Sequence, residues 1–306
     1  MTSADQAART GALFVPRPDL ATLVVSGPDR LEWLQGVLTC DVADLSPGDG
    51  RYGLVLTRQG KILSDVLVVA TKAFVLLGVS ASARERVLAW LLGFLVMEDA
   101  EIADGTTSHF WALLHGPRGL DEARRLAAPV GGDVGAVDPT GLGGAALVVA
   151  HHRAADLLAA AAAPTAGAFS LGDAADWERL RIERLLPVHG VDVTESQNPH
   201  EARLDRRAVS WDKGCYLGQE AVCMLEMRGK VKRRLSLLEL GDAPAPALGT
   251  PVFDEAGAQV GETRSSVESE VHGGAVALAV LEERVVPVGT RLVVDGRPAV
   301  VAEANR

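Results

Sequence analysis

The chain has 306 residues, 48% of them apolar, so it is long enough for two or three packed domains. Its formal net charge of −10, from 30 basic and 40 acidic residues, argues against general binding to nucleic acids or anionic membranes. Three cysteines do not make a disulfide framework, and they fit a reducing compartment.

The first part of the chain mixes helix and strand patterns. A capping-box pattern at residues 26–29 opens the first predicted helix, and residues 58–61 are predicted to form a hairpin turn. The predicted elements are a helix to about residue 38, strands over 52–57, 62–70 and 73–79, and a helix over 82–95. Strands followed by a covering helix predict an α+β lobe.

The second part changes in composition as it proceeds. A Gly- and Pro-rich loop over 129–145 precedes helices over 153–163 and 173–184, and the best linker is 241–249. Hairpin patterns at 251–262 and 292–301 then predict a small all-β domain, which we expect to be a barrel. The chain shows no signal-peptide pattern and no apolar run of bilayer length, so we expect a cytoplasmic protein.

The most informative motif is Lys-Gly-Cys-Tyr-Leu-Gly-Gln-Glu, residues 213–220. Glycines around Cys215 allow a tight turn that can expose the thiol, and a nearby Lys213 and a following helix both favour a thiolate. The alternative is a buried structural thiol, which is the commoner state of a free cysteine and is how we interpret Cys40 and Cys223.

The usual signatures of other sites are missing. The sequence contains no Cys-x-x-Cys, His-Glu-x-x-His, Gly-x-Ser-x-Gly or P-loop pattern, so we predict no metal site. Residues 203–234 carry nine basic and four acidic side chains, a net charge of +5 against −15 for the rest of the chain. Such an island indicates either an anionic ligand or partner, or a solvated face of paired charges.

Residues 213–220 resemble the K-G-C-Y-x-G-Q-E signature of the YgfZ family, and residues 228–235 resemble its R-G-x-x-K-R-x-L continuation. Stretches at 26–39, 181–192 and 249–261 resemble the wider superfamily of the glycine-cleavage T-protein. The resemblance covers nearly the whole chain. It implies an α+β, three-lobed folate-binding fold with a C-terminal β-barrel. The implied lobes are 1–50 with 166–240, then 51–165, then the barrel at 245–306.

The resemblance also implies a function. A YgfZ-type protein would bind tetrahydrofolate and assist the assembly or repair of iron–sulfur client proteins, with an indirect effect on tRNA modification. Direct contact with nucleic acid or membrane is not expected. The alternative is a folate-dependent aminomethyltransferase of the T-protein type. A third hypothesis is a module that binds an acidic protein or RNA through residues 203–234, with folate incidental.

Site residues follow from the same resemblance. Glu183 matches the acidic residue that T-proteins direct at the pterin, where a carboxylate can accept two N–H donors. Arg233 matches an arginine near the folate tail, and Lys213 and Tyr216 of the cysteine motif complete the predicted cofactor-binding set. The predicted catalytic residues are Cys215 and Asp65.

One departure from the T-protein pattern concerns residue 64. T-proteins carry an Asp-Asp pair where this chain has Ser64-Asp65. Because aminomethyl transfer needs a carboxylate near the reacting nitrogen, the loss of one acid argues against T-protein activity, whereas Asp65 keeps it possible.

Overall fold

The described part of the computed structural model, residues 3–163 and 169–304, contains two five-stranded sheets and a closed barrel. The helices are α1 (Ser3–Thr10), α2 (Arg30–Val37), α3 (Arg84–Leu92), α4 (Gly119–Val130), α5 (Ala154–Ala162), α6 (Ala174–Glu183) and α7 (Gln219–Arg228). The strands of the sheets are β1 (Leu13–Arg17), β2 (Leu20–Ser26), β3 (Gly50–Leu56), β4 (Ile62–Ala70), β5 (Val75–Ser80), β6 (Glu101–Asp104), β7 (His109–His115), β8 (Asp133–Gly135), β9 (Gly144–Ala150) and β10 (Ser170–Leu171). The strands of the barrel are β11 (Arg233–Gly241), β12 (Pro251–Asp254), β13 (Gln259–Ser269), β14 (Gly274–Glu282), β15 (Arg291–Val294) and β16 (Arg297–Ala302).

The first two strands of the chain belong to different sheets. The first sheet has the order β10-β1-β7-β9-β8, and the second has the order β3-β4-β5-β2-β6. At the crossing between β1 and β2, Arg17 donates to both carboxylate oxygens of Asp19, at 2.8 and 2.7 Å. Each sheet therefore combines an N-terminal strand with strands from much later in the chain.

This arrangement divides the chain differently from the expected lobe ranges. The second sheet takes β2 and β6 together with residues 50–80, and β7, β8 and β9 lie in the first sheet with β1. The division differs because the short connection between β1 and β2 places two strands that are consecutive in the chain in separate sheets. The lobe boundary expected at residue 166 lies outside the described residues.

The two sheets pack face to face around a shared core. Trp111 and Leu113 of β7 contact this core from one side, and Leu54 of β3 contacts it from the other. A Cβ atom at Gly78 would lie only 3.1 Å from the Trp111 ring, so glycine lets the sheets approach closely. Helices cover the outer faces, with α2 and α3 on the second sheet and α4 and α5 on the first.

The expected α+β fold with a C-terminal β-barrel is confirmed. Six strands close in the order β11-β14-β13-β12-β15-β16, and β16 pairs back to β11. The barrel begins at Arg233, earlier than the expected residue 245, because β11 pairs with both β14 and β16. The predicted second hairpin turns at Asp295-Gly296, where φ is +50° and +71°, as a two-residue hairpin turn requires.

Two further observations concern sequence expectations. Helix α2 begins after Asp29, whose side chain makes no capping bond to the helix and instead accepts from the backbone N–H of Asp99 at 2.8 Å. The capping box expected at residues 26–29 is therefore absent, since Ser26 belongs to β2. Across residues 3–163 and 169–304, none of the helices combines the length and apolarity needed to cross a bilayer.

Candidate functional site

A small cavity lies between the two sheets, and two carboxylates, those of Asp19 and Asp65, are among its lining groups. Asp65 of β4 lines the cavity with Tyr52 of β3, and the Tyr52 hydroxyl donates to Asp65 Oδ2 at 3.2 Å. Asp19, at the crossing between the sheets, also lines it but is engaged by Arg17. The cavity volume is about 60 Å³. Of these two carboxylates, Asp19 is bound at both oxygens by Arg17, whereas Asp65 accepts from the neutral Tyr52 hydroxyl.

Burial controls the charge of Asp65. Removal from water raises the pKa of this carboxyl above its ordinary value, and the nearby Arg17 guanidinium and the Tyr52 hydroxyl oppose that rise. Burial and the Asp65 charge together raise the pKa of Tyr52 well above its usual value, so the phenol keeps its proton. Such a carboxyl, held by a fixed donor in a cavity, is suited to general acid–base chemistry.

The Arg17 guanidinium, which lines this cavity, contacts an aromatic ring. The Arg17 guanidinium lies over the Trp177 ring, 4.6 Å from its centroid, and the His115 ring stacks on Trp177 with the ring centroids 4.9 Å apart. Burial, reinforced by Arg17, lowers the pKa of His115 to about 3, so this imidazole is neutral at physiological pH. A neutral ring under Trp177 avoids a second positive charge beside Arg17.

Tyr52, Arg17 and Trp177 were not among the predicted site residues. Tyr52 could have been found, because the predicted hairpin pairs Leu54 with Asp65 and Tyr52 with Leu67, which makes Tyr52 a diagonal neighbour of Asp65. Arg17 and Trp177 carried no local signal, since tertiary packing brings them to the cavity from β1 and α6.

The cysteine motif forms an anchored turn with its thiol in solvent. Cys215 is exposed. Lys213 is buried, and its ammonium donates to the backbone carbonyls of Leu38 and Cys40, both at 2.8 Å. Burial lowers the pKa of Lys213 to about 8. Lys213 therefore anchors the turn to the segment after α2. Its expected roles of activating the thiol or binding the cofactor stay predictions.

Tyr216, the other predicted cofactor-binding residue of the cysteine motif, is part of the hydrophobic core. Its side chain packs in the core shared by the sheets, and its hydroxyl has no hydrogen-bond partner among the described residues. Burial raises its pKa to about 12. The Lys213 ammonium lies 5.4 Å from the centre of the Tyr216 ring, so the two motif residues contact each other rather than the cavity of Asp65.

Glu183 lies at the end of α6, against the barrel. It is fully buried, its Oε1 accepts from the Ser269 hydroxyl at 2.6 Å, and its Oε2 has no partner among the described residues. Desolvation raises its pKa. Two residues earlier, Arg181 donates to Asp192 at 2.8 Å and to Ser265 of β13 at 2.7 Å. These two side chains attach α6 to the barrel.

The predicted site residues are therefore dispersed. Asp65 lines the cavity between the sheets, whereas Glu183 does not. Arg233 is exposed at the start of β11, opposite Glu282, and Cys215 is exposed in its turn. The structure brings Asp65 together with Tyr52 and Arg17, and leaves the other predicted residues at separate places.

A group of possible metal ligands occurs elsewhere in the described residues. Ligand atoms of His200, Asp205 and Glu226 lie within 4.8 Å of one another. The Arg206 guanidinium pairs with both carboxylates, at 3.5 Å to Asp205 and 2.5 Å to Glu226. That cation offsets one of the two negative charges that would attract a metal ion.

Comparison with known proteins agrees with this architecture. The family model described as "GCVT N-terminal domain" matches residues 5–133. The structure superposes on a glycine cleavage system aminomethyltransferase T from Bartonella henselae with a TM-score of 0.81, covering 97% of this chain and 87% of that one at 20% identity. This similarity shows the fold.

Relatives found by sequence indicate the family as well as the fold. An aminomethyltransferase from Geobacillus kaustophilus is 28% identical over 95% of this chain and 85% of its own length. Another, from Rubrobacter xylanophilus, is 30% identical over 90% of this chain and 77% of its own length. The narrower resemblance to YgfZ proteins stays a prediction. By fold and by sequence, the chain belongs to the aminomethyltransferase family that includes the T-protein.

Proposed function

We propose that this protein binds a reduced folate beside Asp65 and transfers a one-carbon group, as a folate-dependent aminomethyltransferase located in the cytoplasm. The observation that carries the proposal is the contact between the Tyr52 hydroxyl and Asp65 in a cavity between the sheets. The names of the relatives support the reaction class.

The side chains around the cavity suit part of a folate. Asp65 can accept N–H donors, and Leu67 and Leu113 offer apolar walls, which are the contacts that a planar, nitrogen-rich ring uses. The cavity volume of about 60 Å³ is well below the roughly 300–1,000 Å³ typical of ligand pockets, so a pterin ring enters only if the walls move apart. The wall at Leu186-Pro187-Val188 follows Leu185, which has a φ of +52°.

Residues that line the cavity have separate roles in the proposed reaction. Tetrahydrofolate, when bound, supplies the nitrogen atoms that carry one-carbon units. Asp65 takes up or releases a proton at its carboxyl, and its raised pKa brings that step closer to neutral pH. Tyr52 fixes the carboxyl by donating to Oδ2, and Arg17 stabilises its anionic form. The apolar walls of Leu67 and Leu113 exclude water from the step.

A second candidate function uses the cysteine. The exposed Cys215 thiol sits in a turn that Lys213 anchors, and the backbone N–H of Leu217 donates to the Gly36 carbonyl at 2.9 Å. A fixed turn with a solvent-facing thiol fits a tetrahydrofolate-binding accessory protein that acts on iron–sulfur clients. Its effect on tRNA modification would be indirect.

Two variants separate the candidates. Asp65→Asn should lower kcat/KM for aminomethyl transfer from a loaded carrier to tetrahydrofolate by about 10²–10⁴-fold, as expected for loss of an acid–base group. Ser64→Ala, on the neighbouring residue, should keep the activity. Cys215→Ser should also keep it. No turnover by the unsubstituted protein, together with loss of iron–sulfur enzyme activity in cells that carry only Cys215→Ser, would favour the second candidate instead.

A further inference from the structure

Helix α7 is poorly covered by the rest of the protein. Among its residues only Val222 is buried. Met224 and Met227 are 42% and 76% exposed, a large solvent contact for apolar side chains. Flexible methionine side chains on a protein surface are typical of sites that accommodate a partner's apolar groups.

A groove runs beside Met224 at the C-terminal end of α7. Its volume is about 420 Å³, and its walls include Ala221, Met224 and Leu225. The helix ends at Gly229, whose φ of +58° lets its N–H bond to the Leu225 carbonyl at 2.7 Å. Arg228 and Lys230, on either side of Gly229, complete the lining of the groove.

A cluster of positive charge begins at this groove, where Arg228 and Lys230 are lining residues, and continues along the chain after it. Its members are exposed, and within residues 3–163 and 169–304 none forms an ion pair: they are Arg228, Lys230, Lys232 and Arg233. Acids close to the cluster in sequence or in strand register are engaged elsewhere. Glu226 pairs with Arg206, Glu283 pairs with Arg234, and Glu282, which lies opposite Arg233, pairs with Arg284. The protein as a whole has a net charge of −10, so the sign of this cluster is opposite to that of the whole chain.

We infer that the groove of α7 and this basic cluster form a docking site for an acidic segment of another protein, one that inserts an apolar side chain between Met224 and Leu225. Charge complementarity orients the segment and raises its association rate, and the buried apolar contact slows its dissociation. The site requires neither folate nor Asp65, so it is independent of the proposed activity.

The chemistry of the groove favours protein over nucleic acid. Its apolar walls are methionine, leucine and alanine, whereas single-stranded nucleic acid uses aromatic rings on which bases stack. The overall negative charge of the chain also repels a long polyanion, while a short acidic peptide can contact the cluster alone.

The test uses a fluorescein-labelled synthetic peptide rich in glutamate with a central leucine, and a glutamine-for-glutamate peptide as the neutral comparison. Fluorescence anisotropy at low salt should show binding of the acidic peptide only. The double variant Lys230→Glu with Lys232→Glu should weaken it on the order of tenfold or more. Met224→Ser with Met227→Ser should weaken it by about threefold to tenfold. Arg233 is left intact, because it belongs to the predicted folate set.

A matched charge reversal far from the groove is the control. Lys72→Glu with Arg297→Glu makes the same change at exposed residues and should leave the Kd unchanged. Thermal unfolding of each variant checks that the fold is intact. Equal weakening by the control pair would overturn the proposal, because it would show an effect of net charge alone. Tighter binding of oligo-uridylate than of the peptide, insensitive to the methionine substitutions, would overturn it in favour of nucleic acid.

Discussion

Ser64 and Asp65 are consecutive residues of β4, yet their side chains point to opposite faces of the second sheet. Asp65 pairs with Leu54 and faces the core between the sheets, whereas Ser64 pairs with Val55, which packs in the core under α2 and α3. Ser64 is fully buried there, and its hydroxyl donates to its neighbour's carbonyl at 2.8 Å. An acid at residue 64 would not reach the cavity of Asp65. The serine therefore gives no structural argument against transferase chemistry.

Asp65→Asn should make the protein more stable at neutral pH while it removes activity. The folded-state pKa of Asp65 is raised, so its stabilising contribution is full below the unfolded pKa of about 3.9 and is lost as pH rises through the folded pKa. Asparagine carries no charge to bury and can still accept from Tyr52. Urea unfolding should show a gain in free energy of unfolding at pH 7.5 that shrinks toward pH 4. A variant less stable than the parent at pH 7.5 would contradict a buried, poorly solvated carboxylate.

Glu183→Ala should destabilise the attachment of α6 to the barrel. The substitution leaves the buried Ser269 hydroxyl without its acceptor and opens a cavity, at a combined cost of about 2–4 kcal/mol in the free energy of unfolding. Glu183→Gln keeps the shape and the acceptor, and should stay close to the parent. Calorimetric titration with tetrahydrofolate completes the test: weaker binding by a stable Glu183→Gln variant would instead place this carboxylate at the pterin, as the family resemblance implies.

Lys213→Ala should unfold more easily because two carbonyls lose their donor. The ammonium bonds both Leu38 and Cys40, and leaving these oxygens unsatisfied costs about 2–4 kcal/mol. Lys61→Ala is the matched control, since Lys61 also donates to a carbonyl, that of Ser196 at 2.6 Å, but from a solvent-exposed side chain. The control should cost less than about 1 kcal/mol. Equal losses in urea unfolding would show that the anchoring of the cysteine turn is not specific.

Cys215 should be alkylated first of the three cysteines. Its thiol is exposed, Cys223 is partly buried, and burial raises the pKa of Cys40 to about 11. Iodoacetamide at pH 7.5, followed by peptide mass spectrometry, should modify Cys215, then Cys223, and Cys40 only after unfolding. Cys215→Ser should shift the free energy of unfolding by less than about 0.5 kcal/mol, as expected of an exposed position. Faster labelling of Cys223 would show that the turn shields its own thiol.

The sequence predicted local elements well and long-range contacts poorly. The strands expected at 52–57 and 62–70 are β3 and β4, and the hairpin expected at 292–301 closes the barrel, because alternation and turn residues lie within a few positions of each other. The destination of Lys213 could not be predicted this way. Its acceptor at Cys40 lies 173 residues away, and only the packing of the turn against the second sheet brings them together.

The pairing of β1 with β10 sets the order in which the chain can fold as it is synthesised. The second sheet has all its strands once Asp104 is made, but the first sheet lacks an edge until Leu171 is added, because Leu13 pairs with Ser170 and Phe14 with Leu171. Strands so distant in sequence pair slowly, since a long loop must close first. Because β1 also pairs with β7, it can join the first sheet as soon as His115 is made, and the face of the second sheet that carries Asp65 stays uncovered until then.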